Sequence, residues 1–183
     1  MGGVAVIEIV RKEGYLLEDF EIHRLTEIYQ SNNSAYTPTL LERFGVEQDC
    51  ELYTVLRERI EERINKGYIF YLVHLDGELV GFNNHRLVQK FIKGKNYAVL
   101  EIGTTSILPS YQNRGIGTAL YARIDEDAEH LYKVEAIIRV TWSTNERQIH
   151  LYEKYDYKPY LIRLEHFGIE GVDSITFFKL LQY

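Results

Sequence analysis

Gln112-Asn113-Arg114-Gly115-Ile116-Gly117 is the stretch on which the fold turns. It follows an apolar, β-branched run, Val99 to Leu108, and precedes a run with helical spacing, Thr118 to Leu131. It therefore reads as a strand–loop–helix junction with two glycines at the mouth of the helix. The first turn of a helix leaves N–H groups without intrahelical acceptors, and the helix dipole adds partial positive charge there. Such a mouth binds phosphate, and glycine lets an anion approach the backbone closely. No Gly-Lys-Ser/Thr ends the run, so it is not a P-loop, and it lacks the G-x-G-x-x-G of a dinucleotide fold. The form is Q-x-x-G-x-G. On this stretch alone a plain glycine-bearing turn stays open.

On both sides the chain alternates strands and helices. Val4 to Val10 reads as a strand. Glu18 to Tyr29 reads as a helix from the spacing of Phe20, Ile22, Leu25, Ile28 and Tyr29, with a loop at Ser31 to Ser34. Asp49 to Lys66 is a second helix, with Leu52, Val55, Leu56, Ile60 and Ile64 on one face and a stop at Gly67. Tyr68 to Leu75 turns through Asp76-Gly77 into Glu78 to Leu87, and Lys93-Gly94-Lys95 leads into Tyr97 to Leu108. After the junction helix come a strand at Val134 to Thr141, a helix from Asn145, and strands at Tyr160 to His166 and Ser174 to Leu181. The order β α α β β β α β α β β places antiparallel hairpins before a strand–helix–strand crossover. The fold class is α/β with a mixed sheet.

At 183 residues, 45% hydrophobic and 26% charged, the chain reads as one soluble globular domain. No apolar run approaches the roughly 20 residues that span a bilayer, and the N-terminus lacks the pattern of a signal peptide. One cysteine, Cys50, excludes an internal disulfide framework and fits a reducing cytoplasm. A net charge of −6 argues against nucleic acid and is compatible with a cationic amine substrate. The six histidines and scattered acids show no metal-ligand spacing, so no metal is expected.

A second segment joins the first. Asn145-Glu146-Arg147-Gln148-Ile149-His150-Leu151-Tyr152-Glu153-Lys154-Tyr155-Asp156-Tyr157 resembles the N-x-x-A-x-x-L-Y-E-K-x-G-F motif of the GNAT superfamily of N-acetyltransferases. The run at Gln112 resembles that family's pyrophosphate motif, Q/R-x-x-G-x-G/A, and the two stand in the family's order. The likeness covers roughly residues 68–165. It implies one GNAT-like domain over residues 1–183: a variable acceptor-side part (1–67), a coenzyme-binding and catalytic core (68–165) and a C-terminal strand (166–183). It also implies a mixed, mostly antiparallel central sheet flanked by helices.

The resemblance implies acetyl-CoA as cosubstrate. Its pyrophosphate would be held by the amides of Gln112, Asn113, Arg114, Gly115, Ile116, Gly117 and Thr118, and Asn145 would also bind the coenzyme. Its pantetheine arm would take amides of Ile107 and Leu108, since an open strand edge can pair with a peptide-like ligand.

Acetyl transfer needs a neutral amine, and at pH 7 a lysine-like amine is neutral only on the order of one time in a thousand. It also benefits from an acid for the departing thiolate. Tyr152 matches the motif tyrosine and is the leading acid, although the chain has 15 tyrosines and most serve packing. Glu101 lies eleven residues before Gln112, a spacing at which some family members carry a base. Partial desolvation on an apolar strand is expected to raise its pKa. A solvent-facing strand residue and a chain of waters as the base stay open. His85 and His150 read as structural. Tyr29, Tyr36 and Phe82 are candidate liners of an amine pocket.

Gln148 stands where the family has alanine and Asp156 where it has glycine, a left-handed position that aspartate tolerates. The expected activity is transfer of acetyl from acetyl-CoA to a primary amine, on a small molecule or a protein, by direct attack in a ternary complex. A coenzyme-binding sensor without transfer activity and a general nucleotide-binding domain are the alternatives. No membrane partner is expected, and open sheet edges are compatible with a homodimer.

Overall fold

The computed structural model describes residues 6–32, 49–165 and 172–181. Over these, the chain forms seven strands and four helices in the expected order. They are β1 (Ile7–Glu13), α1 (Asp19–Asn32), α2 (Asp49–Asn65), β2 (Ile69–Leu75), β3 (Glu78–Ile92), β4 (Lys95–Ile107), α3 (Ile116–His130), β5 (Ala136–Trp142), α4 (Glu146–Lys154), β6 (Lys158–Arg163) and β7 (Ser174–Leu180). The sheet order is β1-β2-β3-β4-β5-β7-β6. Val4, Tyr36 and the loop residues after Asn32 lie outside the described residues, as does the side chain of Cys50. Among the described residues no helix is long and apolar enough to cross a membrane.

Most boundaries differ by a few residues, the last but one strand lying at Lys158–Arg163 rather than Tyr160–His166, and two strands run well past their expected ends. β1 runs to Glu13 because β2 pairs with it along its whole length, from Ile7 opposite Leu75 to Glu13 opposite Ile69. The charged end of β1 is tied down as well, since Lys12 Nζ meets the buried Glu21 carboxylate at 2.6 Å. β3 continues past Leu87 to Ile92, where its outward Arg86 and Lys90 meet Glu101 of β4.

The chain groups into two compact units: Met1–His85 with Thr104–Ala122, and Arg86–Gly103 with Arg123–Tyr183. The first has a core of Leu25 and Ile28 of α1, Ile60 of α2, Phe70 and Leu72 of β2, and Phe82 of β3. Each such side chain, fully buried, contributes about 1.5–3 kcal/mol. Phe82 is 0% exposed, with Tyr29 edge-on to it at 6.3 Å, so it belongs to the core. Glu21 reaches back to the Glu18 N–H at 2.8 Å and caps the start of α1. Asp76 and Gly77 both have positive φ (52° and 84°), the conformation that lets a two-residue turn follow the twist of a hairpin.

In the second unit, Ile92, Val99, Ala136 and Ile138 form a core against which Tyr97 and Phe178 pack. β5 pairs antiparallel with β7 over its full length, and β7 pairs with β6. β4 pairs parallel with β5 at three positions only, Val99–Ala136 to Glu101–Ile138, although β4 runs on to Ile107 and β5 to Trp142.

Candidate active site

In the first unit a single 3-10 turn, Pro109–Tyr111, carries the chain from β4 into the loop. Asn113 (φ 63°) and Gly115 (φ 79°) both take the left-handed conformation, which favours glycine. The first backbone bond of α3 runs from the Ala119 N–H to the Gly115 carbonyl at 2.9 Å. The N–H groups of Ile116, Gly117 and Thr118 are thus left without helical acceptors, as an anion site requires. A side chain at Gly117 would meet only Ile107 Cδ1, at 3.6 Å, so that position admits a methyl group where Gly115 is held to glycine by its φ.

The Gln112 side chain braces the loop. Its Nε2 donates to Asn32 Oδ1 at 2.8 Å and to the Ile107 carbonyl at 3.0 Å. The exposed Arg114 guanidinium lies 5.1 Å from the Tyr111 ring, and the Tyr111 hydroxyl donates to Glu78 at 2.6 Å. That bond raises the Tyr111 pKa above the ordinary phenol value.

One expectation needs correction. The Leu108 N–H is not available to a ligand, because it donates to the Val80 carbonyl at 2.9 Å. The paired register of β3 and β4 still holds there. Ile107 of the expected pair is the residue whose side chain lies beneath Gly117.

Tyr152, Asn145 and Glu101 belong to the second unit. Tyr152 is 5% exposed, with ring centroids of Phe177 at 5.1 Å and Tyr157 at 5.8 Å. The buried Arg139 guanidinium lies 5.8 Å from the Tyr152 ring and 4.9 Å from that of Tyr157. Asp125 of α3 gathers this cluster. It accepts from the Tyr157 hydroxyl at 2.9 Å and from Lys179 Nζ at 2.7 Å, and it faces Arg139 Nη2 at 3.5 Å. Burial pushes the Tyr157 hydroxyl well above its usual range.

The Asn145 oxygen accepts from the Gln148 N–H at 3.2 Å, so Asn145 is the cap of α4. Asp156 takes φ 64° just past the end of α4, the left-handed position expected of it.

The expected rise in the Glu101 pKa is overturned. Burial alone would raise it, but hydrogen bonds from Lys90 and Arg86 outweigh burial and hold it below the ordinary 4.5. Lys90 Nζ and Arg86 Nη2 each stand 2.6 Å from its oxygens. The carboxylate is ionised but weakly basic.

The sequence of this chain matches the model of the acetyltransferase (GNAT) family over residues 24–157, well over half its length. The chain belongs to the GNAT acetyltransferase family. None of the curated proteins compared matches it. Solved GNAT structures share the fold. A GNAT family acetyltransferase from Elizabethkingia anophelis with acetyl-CoA bound has a TM-score of 0.64 at 19% identity, over 96% of this chain and 98% of that one. The ribosomal-protein-S18-alanine N-acetyltransferase of Escherichia coli has 0.62 at 15% identity, over 96% of each. The spermidine/spermine N-acetyltransferase of Vibrio cholerae has 0.60 at 17% identity, over 94% of this chain and 92% of that one.

This GNAT chain also carries buried polar residues, of which sequence reading had weighed only His85. Asn83, Asn84 and His85 are all 0% exposed on β3, and Arg139 is 0% exposed on β5. Asn83 Nδ2 donates to Thr105 Oγ1 at 2.8 Å, and Asn83 Oδ1 stands 3.0 Å from His85 Nδ1. The Tyr71 ring lies edge-on to His85 at 4.7 Å, so His85 is a packed, buried residue, while His150 is exposed. Two asparagines inside an apolar strand, and one arginine inside another, were the available signals. Among the described residues no cluster of His, Cys, Asp and Glu could hold a metal ion.

Proposed function

We propose that this protein transfers the acetyl group of acetyl-CoA to a primary amine by direct attack in a ternary complex. The observation that carries the reading is the loop in a GNAT chain: Gly115 in a left-handed turn, followed by three N–H groups without helical acceptors. Those amides would hold the pyrophosphate, with Gln112 fixing the loop on Asn32 and the end of β4. The pantetheine arm would lie along β4 beyond Glu101, where pairing with β5 has ended and a strand edge can accept a peptide-like ligand. Bound acetyl-CoA supplies the activated thioester.

The neutral amine forms a bond to the acetyl carbon as the carbon–sulfur bond breaks. Tyr152 delivers its phenolic proton to the departing sulfur, and its ring is held for this by Phe177 and Tyr157. The ammonium proton leaves to water. Held by two cations, Glu101 is a weak acceptor for that proton, and its part is to tie Arg86 and Lys90 of β3 to β4. The single cysteine fits a reducing compartment such as the cytoplasm.

The test is acetyl-CoA-dependent thiol release across a panel of amines, for the wild type and Tyr152→Phe. A general acid contributes about 10²–10⁴-fold, so Tyr152→Phe should lose turnover on that scale while keeping its melting shift with coenzyme A. Undiminished turnover in the variant would remove Tyr152 from the mechanism. No release with any amine would remove the transferase reading.

A further inference from the structure

We propose that Arg63 and Asn84 anchor a carboxylate carried by the acceptor amine, so that the acceptor is an amino acid rather than a polyamine. The proposal rests on the transferase reading and names the acceptor class. Both residues belong to the first unit, Arg63 in the last turn of α2 and Asn84 midway along β3.

Asn84 Oδ1 accepts from Arg63 Nη1 at 3.2 Å and from the Thr104 N–H at 2.9 Å. Two donors at that atom fix the orientation of the amide, since a flip would set Nδ2 against both. Asn84 Nδ2 is then buried with no acceptor. A buried donor in that state bears its full desolvation penalty.

Arg63 is partly buried and lacks the same thing. Its Nη1 also donates to Thr104 Oγ1, and its guanidinium lies 5.9 Å from the Tyr68 ring. Among the described residues no carboxylate meets it, and its Nε and Nη2 make no hydrogen bond. A cation at the end of a helix suits the dipole, which accounts for Arg63 but not for Asn84 Nδ2.

One ligand group satisfies both: an anion with two acceptor oxygens, which a guanidinium recognises in its plane. A carboxylate has that form. A polyamine would instead bring further ammonium groups beside an arginine that meets no carboxylate among the described residues, a discrimination by repulsion.

Thiol release with acetyl-CoA is measured on matched triplets: an α-amino acid, its primary amide and its decarboxylated amine, with spermidine alongside. Melting shifts are recorded with coenzyme A and with each compound. The wild type should prefer the acid over the decarboxylated amine by about tenfold or more in kcat/KM, with the amide close to the amine. Arg63→Met should erase that preference through KM and leave the coenzyme A melting shift in place. Asn84→Asp places a carboxylate against Arg63 from within the protein, and should erase the preference without lowering Tm. Preference for spermidine, equal use of acid and amide, or a preference that survives Arg63→Met would each overturn the anchor. If nothing is turned over, the transferase reading fails and the melting shifts decide the anchor. Stabilisation by amino acids that is lost in Arg63→Met supports it, and its absence in the wild type overturns it.

Discussion

Gly81→Ala probes the close approach of β3 to β4. A methyl carbon at Gly81 would sit 2.9 Å from the Ser106 carbonyl oxygen, 3.1 Å from Ile107 Cγ1 and 3.4 Å from Ile107 Cα. The nearest atom is backbone, so no side-chain rotation relieves the contact. Restoring ordinary van der Waals distance needs the strands to part locally by about half an ångström. The Leu108 N–H to Val80 carbonyl bond, one residue along, would lengthen with them. Overpacking of this kind costs about 1–3 kcal/mol. Alanine recovers about 0.5–1 kcal/mol of the conformational freedom that glycine loses in a strand. At the middle of these ranges the net loss is about 1 kcal/mol, or a fall in Tm of roughly 2–4 °C for a chain of this length. Urea unfolding with an unchanged m-value reads it directly. The same variant should bind coenzyme A more weakly, because Ile107 and the loop braced on it move with the strand. Gly81→Ala as stable as the wild type would refute the reasoning, since the contact would then be slack. Gly77→Ala makes the contrast: nothing lies within 4 Å of its added carbon, and its penalty comes from φ 84° alone.

Two further substitutions test the second unit. Asp125→Ala removes the carboxylate that meets Arg139, Lys179 and the Tyr157 hydroxyl. It should cost about 3–5 kcal/mol by urea unfolding, because Arg139 stays buried, and a loss below 1 kcal/mol would contradict that account. Glu101→Gln tests the ion pairs by their pH dependence. Because the folded pKa lies below the unfolded value, Glu101 stabilises above about pH 4.5 and the effect is lost as pH falls through the folded pKa. The variant should therefore be less stable than the wild type at pH 7, and the two should converge in acid. A stability gap independent of pH would show that the carboxylate charge is not what matters. Turnover in Glu101→Gln should keep its pH profile, and loss of the acidic limb would restore Glu101 as the base.

The element order was legible because its signals are local: Asp76-Gly77 and Gly67 announce their turns, and Gln112 to Gly117 announce the loop by composition alone. Asp156 was legible for the same reason, since a left-handed position after a helix is a local demand. Glu101 was misread because its pKa is set across strands, by cations fifteen and eleven residues upstream that become neighbours only once β3 and β4 pair. Leu108 was misread because the sequence does not say whether its N–H is already taken by Val80. The polar interior, Asn84 with Arg63, Asn83 with Thr105 and Arg139 with Asp125, joins residues from separate elements. Only the oddity of polar residues in apolar strands pointed to it.

The sheet order places β7 between β5 and β6, although β7 follows both in sequence. While the chain is being synthesised, β6 is complete before the strand it pairs with exists, and β5 lacks its antiparallel neighbour. Phe177, which holds the Tyr152 ring, lies on that late strand. A chain stalled on the ribosome short of residue 174 would therefore have Tyr157 to set beside the Tyr152 ring but not Phe177. On the proposed reading, the full setting of Tyr152 arrives with β7 rather than accumulating along the way.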